Sequence, residues 1–130
     1  MLLKVTPLYA GLLALLFVAL SIRVIAVRRS AGVALGDGDR SDVRRRMRVH
    51  GNFAEYVPLA LLLLALAEIN LQPALLLHGL GLALLAGRCI HAVGVSGEPE
   101  RFVLRVTGMA LTFGTILVAA ALNLAAAAGL

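Results

Sequence analysis

Acidic residues, cysteine and aromatic residues are all scarce in this sequence. There are seven aspartates and glutamates in 130 positions, one cysteine and no tryptophan. A lone thiol, Cys89, excludes an internal disulfide framework and cannot build a metal centre by itself, so no metal is expected. Its place in an apolar stretch beside Arg88 reads as an inert, buried thiol. Aromatic residues make up only 5% of the chain, so the twelve lysines and arginines lack stacking partners. That argues against nucleic acid as a partner, despite a formal net charge of +5. No internal repeat is evident, and low complexity is confined to the alanines at 125–128. Charge of either sign is also thin, at 15% against roughly 25% in soluble proteins.

What fills the chain instead is apolar, at 61% of residues. A water-soluble fold of this size has too little interior to hide that much apolar surface, so the lipid bilayer is the expected solvent. A span needs about 20 apolar residues to cross about 30 Å of hydrocarbon. Four runs qualify, at about 8–27, 53–69, 73–95 and 102–128. The expected fold class is therefore an all-α, integral membrane four-helix bundle in one domain. The first run lacks the short hydrophobic stretch and small-residue cleavage site of a secretory signal, and is taken as a retained span. Thr6-Pro7 offers it an N-cap and a first-turn proline.

The connections are unequal. The first is long and polar, with Gly36-Asp37-Gly38-Asp39 as its most flexible point. Ser41 or Asp42 is a candidate N-cap, so the second helix is expected to start in water and enter the membrane near Asn52. The first loop carries seven arginines, and Arg88, Arg101 and Arg105 flank the third, whereas the opposite side has only Lys4. The positive-inside rule then places loops one and three in the cytoplasm and both termini on the other side; in a bacterium the membrane would be the inner one.

Chemistry concentrates at the head of the second span. At about 100° per residue, Arg48, Asn52 and Glu55 fall in a stripe about 60° wide. Glu55 lies inside the membrane boundary, where an unpaired carboxylate costs roughly 2.5–3.5 kcal/mol. Arg48 is two turns away, so the expected partner is an arginine of another helix or subunit. One reading is a structural ion pair with Tyr56 as an interfacial anchor. Another starts from the ring of Arg28, Arg29, Arg48, Arg88, Arg101 and Arg105 near one membrane face. Guanidinium forks take carboxylates in bidentate fashion, so such a ring suits a small zwitterion with surplus negative charge. Pro58 removes a backbone donor just below the cluster and is expected to bend the helix. His78 falls on the opposite side and has no functional reading.

Arg48-x-x-x-Asn52-x-x-Glu55-Tyr56-x-Pro58, with Arg28-Arg29 closing the first span and Gly87-Arg88-x-x-His91 late in the third, resembles the signature of the MAPEG family. These are the membrane-associated proteins in eicosanoid and glutathione metabolism, among them microsomal glutathione transferases and leukotriene synthases. The resemblance covers nearly the whole chain. It implies a homotrimer with glutathione as co-substrate, held between neighbouring subunits near the cytoplasmic face, and a hydrophobic electrophile drawn from the bilayer. It further implies that Arg28, Arg48, His50, Asn52, Glu55 and Tyr56 contact glutathione, and that Arg105 stabilises the thiolate. Two family tyrosines are replaced here by His91 and Val95. His91 is read first as a satisfied packing residue. The departures keep open a family scaffold that binds another anionic thiol or has no catalysis. A small proton-coupled exporter titrating Glu55 is the third reading.

Overall fold

The structure is a computed structural model that describes residues 3–130. It consists of four helices, α1 (Thr6–Ala31), α2 (Ser41–Ile69), α3 (Ala74–Ser96) and α4 (Phe102–Ala127), with no strand among the described residues. Each is long and apolar enough to cross a membrane. Large apolar side chains such as Leu15, Leu82 and Leu117 stand outward, where lipid rather than water would meet them. Neighbours in sequence pack as neighbours in space, and α3 has its most extensive contact with α4.

Sequence chemistry explains the ends. The α1 helix stops at Gly32, which takes the left-handed conformation at φ 67°. There its N–H and that of Val33 reach back to the Arg29 and Arg28 carbonyls. The tight turn between α2 and α3 is closed by Leu71 at φ 60° and Pro73, the residue before α3. As expected, α2 begins well before its apolar run. Neither Ser41 nor Asp42 makes the cap, however. Arg40 stands at that position, and the Asp42 carboxylate pairs with Arg40 instead, also accepting the Val43 N–H. Pro58 lies within α2 without ending it.

The start of α1 also differs from expectation. Thr6 is the first helical residue rather than its cap, and its hydroxyl is buried without a partner. The cap comes from another helix. Glu68, buried at the end of α2, accepts the backbone N–H groups of Lys4, Val5 and Thr6, the last two at 2.7 Å. A carboxylate at a helix N-terminus satisfies donors that have no intrahelical partner and meets the positive end of the dipole.

The α3–α4 seam is built on missing side chains. A Cβ on Gly108 would lie 2.6 Å from both the Gly87 carbonyl and the His91 nitrogen, and one on Gly94 would lie 2.6 Å from the Arg105 nitrogen. Small residues that let backbones touch are the usual means of helix association where no water drives it. This seam fixes the head of α4, where Arg101 N–H donates to the Gly94 carbonyl, and so positions Arg105.

Candidate functional site

The polar residues gather where the heads of α2 and α4 meet the end of α3. A cleft of about 230 Å³ is lined by Ser41, Arg44, Arg45, Arg48, Val95, Glu100 and Arg105. A wider hollow of about 550 Å³ shares Arg44 and Arg48 with the cleft and is otherwise lined by Gly36, Asp37 and Met47. The α2 helix supplies most of these cations because its first three turns project beyond the apolar run.

Within the cleft the charges are partly matched. Arg105 Nη1 lies 2.8 Å from a Glu100 carboxylate oxygen, and Arg45 pairs with Glu98 at 3.0 Å and Glu100 at 3.8 Å. Hydrogen bonds from Ser41 and Arg45 hold the Glu98 carboxyl below its usual range. Arg48 Nη1 stands 3.7 Å from Glu55 Oε1, with both side chains more than half exposed. The pair therefore spans two turns of one helix, contrary to the expectation of a partner from elsewhere. Two long side chains leaning toward each other cover that rise, although an exposed pair of this kind adds little stability.

Asn52 parts company with its stripe. It is 8% exposed and faces the bundle interior, where its amide oxygen accepts from Arg88 Nη2 at 2.7 Å. Arg88 itself is 1% exposed, so it is not a member of the basic ring at the mouth. Its other partners are the Thr112 hydroxyl at 3.4 Å, His91 Nδ1 at 3.2 Å and Met109 Sδ at 3.7 Å, with the Phe53 ring 5.8 Å away. His91 is the satisfied packing residue it was expected to be, buried against Arg88. Arg88 has only protons to give, so His91 Nδ1 must be an acceptor here.

The remaining candidates fall on two sides. Tyr56 packs edge-to-face on Phe113 of α4, with ring centroids 5.3 Å apart. His50 turns toward α1, stacking on Phe17 and sharing a 3.0 Å hydrogen bond with the Ser21 hydroxyl. Arg28 donates to the Ala34 carbonyl and to Met47 Sδ, on the loop-one side of α2. Below His50, an apolar hollow of about 300 Å³ opens between α1 and α2, lined by Phe17, Phe53, Val57 and Pro58 among others. One chain thus brings Arg48 and Arg105 to one cleft, with Glu55 beside Arg48, while His50 and Arg28 make their contacts elsewhere.

Glu100 is not among the candidates read from the sequence, yet its single carboxylate lies between two of the cleft's arginines, Arg105 and Arg45. The signal available was its acidity in a loop that faces seven arginines. Cys89 is a correction, since it is exposed rather than buried. It follows Arg88 by one position, and because Arg88 points inward, a step of about 100° carries Cys89 to the outer face. At the far end of the bundle, His78 meets the Tyr9 hydroxyl at 3.2 Å, remote from the cleft.

The inner membrane protein YecN of Escherichia coli strain K12 is 38% identical over 120 residues, covering 92% of this chain and 90% of its own. YecN of Escherichia coli O6:H1 gives the same figures. Four apolar helices and an inner-membrane relative make this an integral, multi-pass membrane protein. The MAPEG family model matches residues 6–125, nearly the whole chain, and the protein belongs to the MAPEG family.

Proposed function

We propose that the protein is a glutathione-dependent transferase or peroxidase acting on hydrophobic electrophiles, assembled as a homotrimer. The observation that carries this reading is the cleft that Arg48 and Arg105 line together, with Glu55 beside Arg48 and Asn52 one helical turn from each of those two on α2. Guanidinium groups from two helices suit the two carboxylates of glutathione, and Glu55 suits its ammonium. A thiol of pKa about 8.5 is mostly protonated at neutral pH, and the guanidinium of Arg105 lowers that value. The proton leaves to solvent. The sulfur then forms a bond to the electrophilic carbon as the leaving group departs with its electron pair.

The separation of two groups of residues supports the trimer in this reading. Arg28 and His50 belong to the family's glutathione set but lie toward α1, away from the cleft. A neighbouring copy offering its α1 side to this copy's cleft completes the set. The apolar hollow beneath His50 then gives the bilayer-borne electrophile a place beside the thiolate. Loops one and three, which carry the arginines, face the cytoplasm in this reading.

A conjugation assay on purified protein, with glutathione and a generic aryl halide, tests the proposal. Turnover above the uncatalysed rate is expected, with a loss of roughly 10²-fold in Arg105→Ala. No turnover in the wild type would contradict it.

A second reading is a family scaffold that takes another anionic thiol or has no catalysis. His91 is committed to Arg88 and Val95 has no polar group, so neither replaces the family tyrosines as a ligand contact. Turnover with a different low-molecular-weight thiol, and none with glutathione, would favour it. The exporter reading is the weakest, because Glu55 is shallow and already beside Arg48.

A further inference from the structure

Arg88 is a full cation with 1% of its surface exposed. Among the described residues no carboxylate pairs with it, and its Nε is buried without a partner. Its acceptors are neutral, namely Asn52, His91, Thr112 and the sulfur of Met109. The shortest of these contacts, 2.7 Å to Asn52, settles a question of polarity. A guanidinium has no acceptor, so the Asn52 atom facing it must be the carboxamide oxygen. The amide nitrogen is thereby turned away from Arg88 with both protons still to give. Asn52 stands one helical turn from Arg48 and one from Glu55, at the border between the core and their exposed face.

We propose that Arg88 is a positioning residue that locks Asn52 as a hydrogen-bond donor toward the face that carries Arg48 and Glu55. This position then takes an oxygen of the ligand and rejects an ammonium or N–H group. The ligand's positive group is left to Glu55. The identity of the ligand as glutathione rests on the function proposed above; the polarity of Asn52 does not.

Asn52→Asp separates the two. Aspartate keeps the shape, gives the buried cation a carboxylate and removes the donor. In purified full-length protein in detergent, the thermal unfolding midpoint of Asn52→Asp is expected to rise by several degrees, since a buried charge gains its missing partner. Glutathione affinity measured by calorimetry is expected to fall at least about tenfold, the value of one hydrogen bond to a charged group. A double-mutant cycle adds a readout that a merely structural role would not move. Arg88→Met is expected to weaken glutathione binding roughly tenfold beside Asn52, and to have no further effect in an Asn52→Ala background. An Asn52→Asp protein that melts at or below the wild type would overturn the proposal. So would an equal effect of Arg88→Met in both backgrounds. If the wild type takes up no glutathione, the functional reading fails, and the melting comparison alone decides the orientation of Asn52.

Discussion

Asn52 and His50 stand two positions apart on α2, yet one faces Arg88 and the other faces Ser21 on α1. Helical periodicity places Asn52 in a stripe with Arg48 and Glu55, and that stripe does carry the polar surface. Periodicity cannot say which edge of the stripe turns inward. That is decided by Arg88, a residue 36 positions later whose guanidinium must find acceptors inside the bundle. The exposure of Cys89 was hidden by the same kind of distant choice, since an apolar stretch looks alike whether it faces lipid or protein. In the first loop, charge chemistry is legible directly. Asp37 accepts a hydrogen bond from Arg44 at 2.6 Å, and this contact holds its carboxyl below the ordinary value of 3.8. A carboxylate whose folded pKa is depressed adds stability that is full above its unfolded pKa and is lost as pH falls through the folded one. The protection of amides in residues 33–40, measured against the intrinsic exchange rate at each pH, should therefore fall below about pH 4. In Asp37→Asn, that protection should already be low at neutral pH, with no acid step.

At the scale of elements, the four helices, the long aqueous head of α2 and the tight turn into α3 were all readable from run lengths, glycines and prolines. The clamp between α2 and α1 was not. Glu68 and the residues it caps are 62 to 64 positions apart, and only the bundle's topology brings them together. Its one trace in the sequence is a lone acid at the edge of an apolar run, on the side poor in charge. Glu68→Ala should cost about 2–3 kcal/mol by stranding three N–H groups at a helix terminus, and Glu68→Gln, which keeps an acceptor, should cost less. Thermal unfolding in detergent reads both. The glycine seam makes a second prediction at this scale. Gly108→Leu forces α3 and α4 apart against backbone atoms, at a cost of about 1–3 kcal/mol. Because Arg105 rides on the displaced helix, glutathione turnover should fall with stability; full turnover in a less stable protein would show that the seam does not set the cleft.

Taken whole, the molecule is an apolar frame with one basic end. Composition and the positions of the arginines were enough to see that end, and the structure divides it into a cleft between α2 and α4, a neutral-lined cation in the core, and an α1 face carrying His50. No single chain unites the residues that the family reading assigns to glutathione, which is why the account needs neighbouring copies. The direct test is calorimetric titration of glutathione into the purified, detergent-solubilised protein, run beside Arg48→Ala from the cleft and His50→Ala from the α1 side. Saturable binding is expected in the wild type at one site per chain, weakened by both variants. Absence of saturable heat in the wild type, or undiminished binding in Arg48→Ala, would contradict it.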